Sequence, residues 1–70
     1  MTTLNEILEE DFPIHYMSNS ELQDAIEYCC DQFHDLVPGA RNRKELRIKI
    51  NEMIDEYNER REMKIYNHIK

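Results

Sequence analysis

Residues 18–57 read SNSELQDAIEYCCDQFHDLVPGARNRKELRIKINEMIDEY, and their apolar positions decide the fold. Leu22, Ala25, Ile26, Cys29, Phe33, Leu36 and Val37 recur at the 3.6-residue period of an amphipathic helix. After a break, Leu46, Ile50, Met53, Ile54 and Tyr57 do the same. The break is Pro38-Gly39, which stops the first of these helices and supplies the turn into the next. Two long helices joined by so short a connection lie antiparallel, as a hairpin.

Start signals precede each periodic segment. Thr3-Leu4-Asn5-Glu6, Ser18-Asn19-Ser20-Glu21 and Asn42-Arg43-Lys44-Glu45 all have the form of a capping box. In such a box a short polar side chain accepts from the N3 amide while the Glu reaches back to the cap amide. Met17 and Leu22 add the apolar pair of a hydrophobic staple at the second site. The spacing predicts a first helix over about residues 4–11, a second over about 19–37 and a third over about 43–69. The expected fold is all-α: one small domain, residues 1–70, with a short N-terminal helix before a long antiparallel hairpin. Pro13 ends the first helix at Phe12, leaving residues 14–17 as a short extended connector.

Beyond Tyr57 the apolar pattern changes. Asn58-Glu59-Arg60-Arg61-Glu62 interrupts it, and Met63, Ile65, Tyr66 and Ile69 resume it on a displaced face of a continued helix. That face either packs on the first helix or pairs with a second copy. A weak homodimer through Ile65, Tyr66 and Ile69 is the expectation, because a core this small gains from every apolar contact.

Charge is segregated along the chain. The first forty residues hold nine acids and no Lys or Arg; the remaining thirty hold all nine bases against six acids, for a net charge of −6. Glu21, Asp24, Glu27 and Asp31 occupy the face of the second helix opposite its apolar stripe, with Tyr28 among them. A solvated outer face is the simplest reading of such a row. Without interspersed bases, however, the acids repel one another at i,i+3 and i,i+4. A row of charge about 25 Å long also imitates a run of phosphates to a basic surface. Arg41, Arg43, Lys44 and Arg47 crowd the start of the third helix, where the macrodipole already presents positive charge. Asp31 and Asp35 across the hairpin are their expected partners, pairing with Arg43 and Arg47. An external phosphate is the alternative.

Candidates for chemistry are thin. Cys29 and Cys30 are adjacent, too close to bridge, which fits a reducing, cytoplasmic setting. Cys30 and His34 are spaced to share a metal, with His15 or Asp31 as further ligands, yet the second ligand pair of a structural zinc site is missing. As a nucleophile–base pair they lack an orienting third group. The only Gly stands in the interhelical turn, so there is no phosphate-cradling loop. No apolar run reaches membrane-spanning length, and no basic, apolar leader pattern opens the chain. No catalytic residue, cofactor or metal is expected.

The pattern of a small capped hairpin is common to many unrelated proteins and points to no one family. The expected function is a small acidic interaction module, an adaptor or inhibitor. Glu21, Asp24, Glu27 and Asp31 would steer it to a partner protein with a basic surface, such as a nucleic-acid-binding protein, and Tyr28 would anchor it. The alternative is a nucleic-acid binder using residues 41–49, which the net negative charge opposes.

Overall fold

The computed structural model describes residues 4–9 and 11–69, with side chains from residue 6 onward. All regular structure among the described residues is helical. A single turn, α1 (Leu4–Ile7), precedes a 3₁₀ turn over Ile14–Tyr16 and two long helices, α2 (Asn19–Asp35) and α3 (Arg43–Arg61). The molecule is thus a helical hairpin with irregular flanks rather than a full three-helix arrangement. The box at Thr3 lies outside the described residues, as do Glu10 and the side chain of Leu4.

The α2–α3 pair carries the core. Leu22, Ile26, Cys29 and Phe33 from α2 meet Leu46, Ile50, Met53, Ile54 and Tyr57 from α3, and Ile7 and Ile14 close the cluster. Ser18 starts α2 as expected: its hydroxyl accepts from the Glu21 amide at 3.1 Å, and its own amide donates to Glu21 Oε1 at 3.1 Å. α2 stops at Asp35, two residues early. Leu36 is already extended, because Pro38 bars Val37 from the α region and the turn must begin. Ala40 N–H closes on Val37 C=O at 3.0 Å with Pro38 and Gly39 between them, and the Gly39 φ of +90° is the left-handed value that a type II turn asks of its third residue. Val37 is left 69% exposed, outside the stripe to which its spacing assigned it.

Three local expectations are corrected. α1 ends at Ile7 instead of about Asp11, and single-turn bonds Glu9 N–H to Glu6 C=O and Phe12 N–H to Glu9 C=O follow it. Consecutive acids there would sit at the negative end of a helix dipole, and Pro13 restrains Phe12. Residues 14–16 coil into the 3₁₀ turn rather than extending, which buries Ile14. Asn42 is in αR conformation and makes no side-chain cap, so the third capping box does not form; Arg43 N–H to Ala40 C=O starts the helix instead.

The largest correction is at the C-terminus. α3 does not continue to about residue 69: it ends at Arg61, and Glu62 adopts φ 53°, left-handed. Met63 N–H then reaches Asn58 C=O at 3.2 Å and Glu62 N–H reaches Glu59 C=O at 3.2 Å, the paired bonds of a Schellman stop. A non-Gly residue in this conformation costs about 1–2 kcal/mol, so something downstream must offset it. Two asparagines do. Asn58 Oδ1 accepts from the amides of Ile65 (2.9 Å) and Tyr66 (3.1 Å), and its Nδ2 donates to Tyr66 C=O (2.9 Å). Asn51 grips Ile69 the same way, accepting its amide at 2.8 Å and donating to its carbonyl at 3.0 Å. The chain therefore doubles back along α3 as a strap. The register is geometric: seven helical residues rise about 10.5 Å, which three extended residues also span. Tyr66 and Ile69 are thereby packed on the chain's own core, Tyr66 edge-on to Tyr57 at 5.5 Å between centroids. Ile65 and Met63 stay exposed. The continued helical face on which Ile65, Tyr66 and Ile69 were to meet a second copy is not formed.

Arg60 joins the 3₁₀ turn to the hairpin. Its Nε donates to Glu56 Oε2 at 2.6 Å; Nη1 donates to Met17 C=O and Asn19 Oδ1; Nη2 donates to Ile14 C=O at 3.2 Å and His15 C=O at 3.0 Å. Five acceptors thus meet the five N–H groups of one guanidinium. Arg60→Lys keeps the charge but cannot reproduce the fork. Urea unfolding should show it less stable by about 2–3 kcal/mol, since carbonyls of the turn lose their donors. An unchanged midpoint would mean that Ile14 packing and the His15–Glu56 bond hold the turn without the fork.

Candidate functional site

Beside α2 the N-terminal segment leaves a groove of about 370 Å³. Ile7, Phe12 and Met17 form one wall; Glu21, Asp24, Ala25 and Tyr28 of α2 form the other. The apolar lining is continuous from Ile7, which is only 1% exposed, to Tyr28, at 37%. Ala25 makes the recess, because its methyl leaves space between the larger side chains of Glu21 and Tyr28 at i−4 and i+3. Met17 is set at the groove by two neighbours, the Ser18 cap that follows it and the Arg60 bond to its carbonyl.

Glu21 and Asp24 stand on the polar rim. Hydrogen bonds from the Ser18 amide and then its hydroxyl hold the Glu21 carboxyl below the usual carboxylate range. Among the described residues no ion pair includes Glu21, Asp24, Glu27, Asp31 or Asp35. The structure thus brings three of the five expected contact residues, Glu21, Asp24 and Tyr28, to one groove. Glu27 and Asp31 are exposed on α2 outside it. Glu27 faces the strap, where its charge adds to the burial that pushes the Tyr66 hydroxyl up.

The basic end has its own depression, about 290 Å³, lined by Gly39, Ala40, Arg43, Lys44 and Arg47; Arg41 is exposed and outside the lining. The expected pairing of Asp31 and Asp35 with Arg43 and Arg47 is not made. Arg43 lays its guanidinium over the Phe33 ring at 4.2 Å instead, with its Nε buried and unbonded. A cation over a ring face needs no carboxylate and covers the end of the core.

A third depression, about 330 Å³, lies between the 3₁₀ turn and α3, lined by Ile14, His15, Glu52, Asp55, Glu56 and Glu59. Sequence reading did not single it out. It is crossed by the 2.7 Å His15 Nδ1–Glu56 pair, and beside it His68 of the strap bonds Asp55. His15 is therefore engaged on α3, not with Cys30 or His34. Burial pushes the Cys29 thiol up to about 12 and, with Asp31 and Glu27 adding to it, raises that of Cys30. Both shifts run opposite to the activation of a nucleophilic thiol. Among the described residues no three His, Cys, Asp or Glu side chains converge as a metal site requires, and no helix is long and apolar enough to cross a membrane.

No protein-family model, curated protein or solved structure matches this chain.

The Glu56 carboxyl gives these contacts a pH signature. Hydrogen bonding from Arg60 and then from His15 holds it below the usual carboxylate range. Its stabilising effect is therefore present above the ordinary carboxylate value and is lost as pH falls through the lower folded value, where the unfolded chain binds the extra proton. The urea midpoint should drop between pH 5 and pH 3, and Glu56→Gln should flatten that drop. Some slope should remain from Glu21, whose carboxyl is shifted in the same direction. An identical pH profile in the variant would place the acid sensitivity elsewhere.

Proposed function

We propose that this protein is a small acidic interaction module, an adaptor or inhibitor without catalytic function, which docks the α2 groove face on a basic surface of a partner protein. One observation carries the reading: Glu21 and Asp24, in no ion pair among the described residues, border the groove that Tyr28 also lines. Unpaired charge around an apolar patch with an aromatic at its edge is the composition of a docking site rather than of an ordinary solvated face. Glu27 and Asp31, further along α2, extend the field that steers the encounter. The partner itself could be a nucleic-acid-binding protein, whose basic groove suits such a row of charge. The free, adjacent cysteines favour a reducing, cytoplasmic setting. Of the expected self-association segment, Ile65 and the neighbouring Met63 are exposed for a second copy, while Tyr66 and Ile69 are covered by the chain's own core.

Affinity capture from the native host tests this at about 50 mM and 500 mM salt, where surface electrostatics are strong and then screened. Wild type should retain a basic protein at low salt and release it at high salt. Glu21→Gln/Asp24→Asn/Glu27→Gln, which keeps the capping geometry because Gln also serves at N3, should retain little. Equal retention by the variant would reduce the acidic face to a solvated one.

The second reading, nucleic-acid binding through the start of α3, is favoured by Arg43, Lys44 and Arg47 converging on one depression. It is opposed by the net −6 charge and by the commitment of Arg43 to Phe33. Filter binding with mixed DNA and RNA at about 50 mM salt should show no retention. Retention with a steep salt dependence would instead establish phosphate contacts.

A further inference from the structure

We propose that the α2 groove takes a single bulky apolar side chain, of the leucine or phenylalanine class, from a basic segment of the partner. Lys or Arg within about four residues of that anchor would meet Glu21 and Asp24. The inference rests on the acidic docking reading and names what the same site recognises.

Four features of the groove specify its occupant. Its volume, about 370 Å³, is near the lower end of the roughly 300–1,000 Å³ of small-molecule pockets, enough for one or two side chains and not for a packed element. Its walls are apolar where they are deepest: Ile7, Phe12, Met17 and Ala25 contribute no charge, so a polar or charged side chain entering there would lose its hydration without a partner. The hole at Ala25 lies between Glu21 and Tyr28 on one strip of α2, the arrangement into which a knob from a neighbouring segment inserts. The charged residues among those lining the groove are both acidic. Glu21 is pinned in place by the Ser18 cap, Asp24 lies a turn along, and neither is in an ion pair among the described residues. An acidic or neutral segment would meet those carboxylates uncompensated, whereas a basic one supplies what the first forty residues entirely lack.

The other depressions carry less. The one at the start of α3 has Arg43 already used on Phe33, and the one beside the 3₁₀ turn is spanned by the His15–Glu56 pair.

The test is fluorescence anisotropy with three labelled peptides: KRKLFKRK, the same charges without the anchor (KRKAAKRK), and the anchor with reversed charge (EDELFEDE). KRKLFKRK should bind wild type about ten- to a hundredfold more tightly than KRKAAKRK, the factor expected for burying one large apolar side chain. EDELFEDE should not bind. Ala25→Phe, which fills the hole, should reduce KRKLFKRK to the level of KRKAAKRK. Tyr28→Ala, which removes one edge of the hole without adding bulk, should weaken KRKLFKRK as well and guards against a misfolded Ala25→Phe. Equal binding of KRKLFKRK and KRKAAKRK, both salt-sensitive, would overturn the anchor and leave the acidic docking reading standing. Equal binding of KRKLFKRK and EDELFEDE would overturn both. No binding of KRKLFKRK at millimolar concentration would overturn the anchor, and the capture experiment would then judge the docking reading by itself.

Discussion

The guanidinium of Arg60 is surrounded by three backbone carbonyls, an amide oxygen and a carboxylate, and the 3₁₀ turn that leads into α2 is fixed on α3 by that arrangement. The α2–α3 hairpin is held by burial and would pair without it. The 3₁₀ turn has less to hold it: Ile14 reaches the core, while His15 and Tyr16 lie outside. Charge-assisted bonds from one planar fork to successive carbonyls give that turn a single geometry, which side-chain packing at one position could not. Because Met17 C=O is among the acceptors, the same fork helps place a groove wall. A residue of α3 thus helps to set a surface beside α2.

The strap works by the same kind of substitution. Asn51 and Asn58 present both an acceptor and a donor to the returning backbone, imitating the pairing that a neighbouring strand would supply. This satisfies peptide groups that would otherwise have to face the core unbonded. It also lets Tyr66 and Ile69 cover the open side of the hairpin. A chain of this length cannot bury much with two helices alone, and here its own C-terminal segment supplies the added cover.

The hairpin, its core and the Ser18 cap were legible because each depends on local period and local chemistry. Leu22 to Phe33 and Leu46 to Tyr57 repeat at helical spacing, and the structure buries both rows. The turn of the strap was not legible from that period, since Ile65, Tyr66 and Ile69 fit a helix as well as they fit a return path. The relevant signal was Asn51 and Asn58, seven residues apart and so on one face of α3. Arg60 also had a signal. It takes the next place after Leu46, Ile50, Met53 and Tyr57 at spacings of four, three, four and three, where a charge needs internal partners. Of the groove, the rim acids and Tyr28 could be named because unbalanced charge is visible in a sequence. The recess could not, because Ala25 read as one more core position and its opposite wall comes from residues without periodicity.

Through its bond to Met17 C=O, Arg60 links the hairpin to the groove wall. The most direct measurement is nitrogen-15 NMR of the arginine side chains. With all five N–H groups donated, Arg60 should show separate, slowly exchanging guanidinium proton signals, because every hydrogen is engaged and rotation of the fork is hindered. Arg61, exposed at the end of α3, provides the contrast within the same molecule. Its signals should be averaged by rotation and broadened by exchange with water. An Arg60 guanidinium as averaged and exchangeable as that of Arg61 would contradict the account.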